Sequence, residues 1–153
     1  MKDVAHTLTE FVQTHLPTAR ALEIEVADYD SASLTLRAPL GPSINDKHTA
    51  FGGSLYVVAV MAGWGMVYLR CRERGIDPNI VVAKGEIEYL APVPTDIVAS
   101  SIPVEEADWD SFFKHFDERG KAKIELRTQV LQDGKPAVSF KGLYAIIGLA
   151  PNL

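Results

Sequence analysis

No charged residue occurs between Ala50 and Leu69. As a helix this stretch is about 30 Å long, enough to cross a bilayer, so a membrane span has to be weighed first. Gly52, Gly53, Gly63 and Gly65 dilute its hydrophobicity. Strand-like segments flank it on both sides, and no other segment of the chain is long and apolar enough to span. The reading adopted is a central helix, apolar all round because other elements wrap it. Gly63 and Gly65 each cost about 1 kcal/mol of helix propensity relative to Ala. The expected return is close approach of a sheet to the helix backbone.

With 153 residues, 47% of them hydrophobic, the chain reads as a single domain over 1–153 with material for a real core. A net charge of −5 argues against nucleic-acid binding, which needs a basic footprint. One cysteine allows neither an intrachain disulfide nor a Cys-x-x-Cys site. His6, His15, His48 and His115 lack metal-ligand spacing, so no metal is expected. The N-terminus, Met-Lys-Asp-Val-Ala-His, has no apolar signal core, and a cytoplasmic location is the expectation.

Asp3 is placed to cap a first helix carrying Val4, Leu8, Phe11, Val12 and Leu16 at helical spacing, with Pro17 as its stop. Period-two alternation then predicts a strand from Leu22 through Val26 and a second with Leu34, Leu36 and Ala38 inward. A loop from Pro39 to Thr49 leads to the central helix, which is expected to end near Gly75 after Arg70, Arg72 and Arg74. In the strand from Ile80 to Leu90, Val81, Ala83, Ile87 and Tyr89 share a face opposite Lys84, Glu86 and Glu88. A weaker strand covers Ile97 to Val104. Trp109, Phe112, Phe113 and Phe116 mark a short amphipathic helix ended by Gly120. Two last strands meet at Asp133-Gly134, a hairpin turn. The fold class is α+β: an antiparallel sheet of five or six strands wrapped around one long helix, with edges that favour a dimer.

The passage Asn45-Asp46-Lys47-His48-Thr49-Ala50-Phe51-Gly52-Gly53-Ser54 resembles the active-site loop of hot-dog-fold acyl-thioester enzymes. Phe51-Gly52-Gly53-Ser54-Leu55-Tyr56, Gly63-Trp64-Gly65 and Tyr89-Leu90-Ala91-Pro92 are similar to a bacterial hot-dog family labelled as thioesterases. Its relatives include the C-terminal domain of a two-domain acetyltransferase-like protein and malonyl-acyl-carrier-protein decarboxylases that supply acetyl starters for fatty-acid synthesis. The resemblance implies a hot-dog fold, a homodimer or dimer of dimers, and a phosphopantetheine thioester as substrate, linked to an acyl carrier protein or to CoA, with no further cofactor.

The loop also has a physical logic of its own. A helix N-terminus presents free N–H groups and partial positive charge, and glycines let a substrate oxygen reach them. Gly52 and Gly53 are thus candidate oxyanion donors, each worth about 3–4 kcal/mol to a transition state. Asn45 does not titrate; its amide can hold a carboxylate or carbonyl, or form a turn. Asp46 and His48 are the only nearby titrating residue types besides Lys47, and each fits a solvated loop position more readily than a role in the chemistry. Thr49, Phe51 and Ser54 line the same passage, Ser54 fitting a cap or first-turn role better than a nucleophile. Tyr56 and Tyr89 can reach a ligand through their hydroxyls or serve the core. Cys71, beside Arg70 and Arg72, is either an activated thiol or a structural helix-end residue.

In many hot-dog thioesterases an Asp or Glu on the central helix activates water. The equivalent position here falls near Val60, and no carboxylate occurs from Gly52 through Cys71. Three readings therefore stay open. Malonyl-thioester decarboxylation needs neither base nor attacking water. Acyl-thioester hydrolysis would have to recruit Asp46, His48 or a partner residue. A non-catalytic acyl-thioester-binding module needs none of these. Arg70, Arg72 and Arg74 are the densest cationic cluster and so the candidate dock for an acidic carrier.

Overall fold

The computed structural model describes residues 2–149, the side chains of residues 2 and 3 excepted. Helix α1 (Lys2–His15) is followed by α2 (Pro17–Ala21). The expected cap by the Asp3 side chain lies outside the described residues. Pro17 does end α1, but it also opens α2, because a proline at the first helical position gives up an N–H that has no partner anyway. Its continuation shortens the next element: the strand expected from Leu22 begins at Glu25.

Six strands form one antiparallel sheet: β1 (Glu25–Tyr29), β2 (Leu34–Ala38), β3 (Pro78–Tyr89), β4 (Ile97–Pro103), β5 (Lys121–Gln132) and β6 (Lys135–Leu149). Their order across the sheet is β1-β2-β4-β5-β6-β3. The alternation predicted for the interior strands is met: Leu34, Leu36 and Ala38, then Ile124, Leu126 and Val130, and Val138, Phe140, Tyr144 and Ile146 are all buried. Asp133 and Gly134 have φ of 54° and 77°, the left-handed pair of a tight hairpin.

Inside the sheet lies α3 (Gly52–Glu73), the expected central helix, with 61% of its most apolar window buried by the rest of the chain. It is the core of a hot-dog arrangement. Its two mid-helix glycines act as anticipated. A Cβ on Gly63 would fall within the ring and hydroxyl of Tyr144, whose phenol donates to the Val60 carbonyl at 2.9 Å. A Cβ on Gly65 would come within 2.7 Å of Leu8 and 2.9 Å of Leu34, so this glycine admits α1 and β2 together. Phe11 of α1 stacks near Trp64 and Tyr68, at 5.6 and 5.1 Å between ring centroids.

The C-terminal end of α3 is tied down by polar groups. Tyr29 and Ser31 both donate to Glu73, at 2.6 and 2.5 Å, and Arg70 donates to the Ser31 carbonyl at 2.7 Å. Helix α4 (Trp109–Arg119) completes this end. Asp108 accepts from the N–H groups of Asp110 and Ser111, and Gly120 closes the helix at φ 71°. Arg70 lies over Trp109 and Arg74 over Phe113.

Strand β3 departs from its predicted pattern. Opposed residues share a face of a sheet, and the inward Phe140, Gly142, Tyr144 and Ile146 pair with Ile87, Gly85, Val82 and Ile80. A register shift between Val82 and Lys84 therefore turns Ile80 and Val82, not Val81 and Ala83, to the side of Ile87 and Tyr89. Lys84, Glu86 and Glu88 point outward as expected. β3 is also an edge with a single neighbour, and Val81, Val82, Tyr89 and Leu90 near it are exposed.

Candidate functional site

The loop before α3 is closed by its own backbone. Ile44 and Ala50 form an isolated bridge, Asn45 N–H donates to the Thr49 carbonyl at 2.9 Å, and His48 N–H donates to the Asn45 carbonyl at 3.2 Å. Two further bonds fix the exit: Ala50 N–H to the Val93 carbonyl at 2.8 Å and Phe51 N–H to the Ser43 carbonyl at 2.7 Å. Asn45 fills the centre of this loop. Its Oδ1 accepts from the N–H groups of Lys47 (2.8 Å) and Thr49 (3.1 Å). Its Nδ2 donates to Thr49 Oγ1 at 3.0 Å and to the Ala50 carbonyl at 3.5 Å. The last contact is at the limit of a hydrogen bond, so that amide hydrogen is the one a ligand can take at least cost.

Asp46, Lys47 and His48 form the loop tip, and all three are exposed. Asp46 pairs with Lys47 at 3.3 Å. His48 has φ 63°, a left-handed conformation suited to the tip of a tight loop. Thr49 is half-buried and belongs to the Asn45 network.

At the start of α3, Phe51 occupies the N-cap position without a side-chain cap, and the first helical bond runs from Leu55 N–H to the Phe51 carbonyl. The N–H groups of Gly52, Gly53 and Ser54 have no acceptor among the described residues. They are the unsatisfied donors that a helix start offers to an anion or a polarised oxygen. Phe51 is 58% exposed, and its ring lies over Gly53, where a Cβ would come within 2.6 Å of it. Ser54 is buried in the first turn, not set out as a nucleophile.

Across from the helix start, Tyr89 of β3 packs on Gly52 and donates to its carbonyl at 2.8 Å. Burial, with the Tyr56 phenol adding, raises the Tyr89 pKa, so its hydroxyl stays a donor. Phe51, Tyr89 and Leu90 form an exposed apolar rim around these polar groups. Gly85 was not picked out from the sequence, yet Tyr56 rests on it. An isolated glycine within a strand pattern is the signal that would have found it.

The structure thus brings Asn45, Thr49, Phe51, Gly52, Gly53, Tyr56 and Tyr89 to one end of α3. It leaves the arginines at the other. Arg70 lies 18 residues beyond Gly52, about 27 Å along the axis. Arg72 lies over Tyr68, just as Arg70 and Arg74 lie over their own aromatic rings. Cys71 is fully buried, which pushes its thiol up to about 12 despite Arg74 and Arg70, so it is no activated nucleophile. Among the described residues no group of His, Cys, Asp and Glu is arranged to hold a metal.

Comparison with known proteins gives the relatives of the chain as a whole. Residues 5–148 match the family model described as "Putative thioesterase (yiiD_Cterm)". A protein of unknown function from Chlorobaculum tepidum TLS superposes with a TM-score of 0.91 at 44% identity, covering 96% of each chain. A structure described as a putative thioesterase from Shewanella oneidensis gives a TM-score of 0.81 at 31% identity, over 96% of this chain and 99% of that one. A Pseudomonas aeruginosa protein described as a probable thioesterase shares the fold at a TM-score of 0.74 and 16% identity, over 93% of this chain and 94% of that one.

Proposed function

The chain belongs to this thioesterase family of hot-dog proteins, and from that premise we propose that it processes acyl thioesters by decarboxylating a malonyl thioester to an acetyl thioester. The observation that carries the choice is a helix start with three free N–H donors on a helix without a carboxylate from Gly52 through Cys71. Such a site can stabilise negative charge but has no helix-borne base to activate water.

In the proposed reaction the thioester carbonyl oxygen takes the N–H of Gly52 or Gly53. The Asn45 amide holds the malonyl carboxylate out of the thioester plane. The bond between the carboxylate carbon and the α-carbon breaks, CO2 leaves, and the electron pair passes into an enolate whose oxygen the helix start stabilises. Solvent then protonates the α-carbon, and acetyl thioester is released. Phe51, Tyr89 and Leu90 shield the site, which disfavours the charged reactant relative to the neutral product. Asp46, His48, Thr49 and Ser54 border the substrate without a proton-transfer role. The carrier is phosphopantetheine, on an acyl carrier protein or on CoA, and the setting is cytoplasmic initiation of fatty-acid synthesis. The working unit is a homodimer, singly or as a dimer of dimers, joined along the exposed edge of β3, where Val81, Val82, Tyr89 and Leu90 gain cover.

Hydrolysis of an acyl thioester is the second reading, favoured by the family's description. It requires Asp46, His48 or a partner residue to take the absent helix acid's place. Mass spectrometry after incubation with malonyl and fatty-acyl thioesters separates the two. Acetyl thioester plus CO2 supports decarboxylation; free thiol plus acid overturns it in favour of hydrolysis. Unchanged substrates would point to a binding module.

A further inference from the structure

One face of α3 carries Gly52, Tyr56, Val60 and Gly63 at helical spacing and lies against β3 and β6. Three tyrosines fill this seam, and two have their hydroxyls engaged: Tyr89 with the Gly52 carbonyl and Tyr144 with the Val60 carbonyl. The Tyr56 hydroxyl has no hydrogen-bond partner among the described residues. Its side chain is nevertheless held in place. Phe140, itself 1% exposed, meets the ring edge-on at 5.3 Å and 82°. The phenol tip rests on Gly85, where a Cβ would overlap the hydroxyl and approach Phe140 to 3.1 Å.

Gly85 sits directly opposite Gly142, and Gly142 makes equivalent room for the Tyr144 ring. Glycine weakens a strand interior and marks close approach, so two facing glycines are a standing cost. They clear the inner face of the sheet for two phenol rings, Tyr56 from α3 and Tyr144 from β6, where smaller side chains would have needed no such clearance. Tyr56 is one turn beyond Gly52, about 5.4 Å along the axis. An acyl group with its carbonyl oxygen on the Gly52 or Gly53 N–H, extending between α3 and β3, meets the phenol within that turn.

Resting on the thioester reading above, we propose that Tyr56 is the specificity-determining residue of this site. Its ring ends the space open to the acyl group after two or three carbons, and its unpartnered hydroxyl donates to a polar acyl end such as a malonyl carboxylate. A carboxylate has about four lone-pair sites, so the phenol adds to the Asn45 amide and does not replace it. Octanoyl and longer chains are excluded by the ring. Propionyl, which matches malonyl in length but ends in a methyl group, leaves the hydroxyl unpaired.

The test is calorimetric binding of inert phosphopantetheine amides, with nitrogen in place of the thioester sulfur, bearing acetyl, propionyl, malonyl or octanoyl groups. The parent protein is expected to bind the malonyl amide most tightly and the octanoyl amide most weakly. Tyr56→Phe keeps the ring on Phe140 and so keeps the fold, as a thermal melt will verify. It should cut the malonyl-over-propionyl preference about tenfold and leave the exclusion of octanoyl intact. Tyr56→Ala should improve octanoyl binding relative to acetyl by about tenfold or more. Parent preferences that persist in both variants overturn the role of Tyr56 while the thioester reading stands. A parent protein that binds none of the four amides overturns both.

Discussion

Asn45→Asp is the sharpest perturbation of the proposed chemistry, because the loop's own hydrogen bonds survive it. The acceptor oxygen that takes the Lys47 and Thr49 N–H groups at 2.8 and 3.1 Å is present in either side chain. The Nδ2 contact to Thr49 Oγ1 at 3.0 Å reverses direction, with the hydroxyl donating to the new oxygen. The Thr49 hydroxyl thereby gives up its 3.3 Å bond to Oδ1, and the 3.5 Å contact to the Ala50 carbonyl is lost. The fold should therefore lose less than about 1 kcal/mol, a shift of no more than roughly 4 °C in melting temperature. Catalysis should fare differently. A carboxylate about 4 Å from the malonyl carboxylate is repelled by about 4 kcal/mol at an effective dielectric of 20. Allowing for solvent at this half-exposed position, the rate at sub-saturating substrate, which is set by kcat/KM, should fall by a factor of about 10²–10³. Asn45→Ala also lowers the rate, but it leaves two backbone donors without their acceptor, at about 1 kcal/mol each, so it mixes loop damage with chemistry. The assay is single-turnover conversion of malonyl to acetyl thioester followed by mass, beside a circular-dichroism melt. Hydrolysis of acyl thioesters should not fall in parallel, since the loop gains a carboxylate. Decarboxylation at the parent rate in a folded Asn45→Asp protein would refute the reasoning.

Three further outcomes follow from the packing. Sedimentation at micromolar concentration should show a species of two or four times the 16.7 kDa chain mass; a lone monomer would count against pairing along β3. Gly63→Ala should destabilise by about 2 kcal/mol, because overpacking against buried Tyr144 outweighs the gain of about 1 kcal/mol in helix propensity. A urea titration showing increased stability would mean that Tyr144 does not occupy this notch. Cys71, with its thiol pushed up to about 12 from an ordinary 9.0, should resist thiol reagents at pH 8 until the protein unfolds. The neutral thiol is the form that the fold favours, so its contribution is complete below pH 9 and is lost as pH rises toward 12, and burial acts in the same direction on Tyr29, Tyr68 and Tyr144. The urea midpoint should thus be lower at pH 10 than at pH 8, and fast labelling of the native thiol at pH 8 would contradict this.

The architecture was readable because its signals are long and periodic. An uncharged stretch containing Gly63 and Gly65 demanded a wrapped helix, and the alternations around Leu34, Ile124 and Phe140 supplied the wrapping. What escaped the sequence were features set by one residue of register. Nothing between Val81 and Ala83 announces the shift that puts Val82 on the same face as Ile87, since both valines suit either face of an edge strand. Pro17, a helix stop by residue type, is also a helix start, because its missing N–H costs nothing at the first helical position. In the site, Asn45 and the glycine pair were visible as types, but the loop's closure on itself was not. That closure depends on the Val93 and Ser43 carbonyls, which come from other parts of the chain. Gly85 and Tyr56 lie 29 positions apart in sequence, and the packing of α3 against β3 and β6 brings the one over the other.

The two ends of α3 are held very differently. At the carboxyl end, Glu73 is gripped by Tyr29 and Ser31, and Arg70 reaches the same turn. At the amino end one Tyr89 hydroxyl bond reaches the helix, at Gly52, and three N–H groups have no acceptor. Glycine at the first two helical positions adds backbone freedom there. The carboxyl end is thus tied by side chains of the helix itself, whereas the amino end is held chiefly through the loop before it, where the Ala50 and Phe51 N–H groups bond to the Val93 and Ser43 carbonyls. A ligand oxygen that fills the vacant donors fastens the second end. On the proposed reading a substrate oxygen there would stabilise this end of the helix by mass action, so ligand would raise the melting temperature of the whole protein.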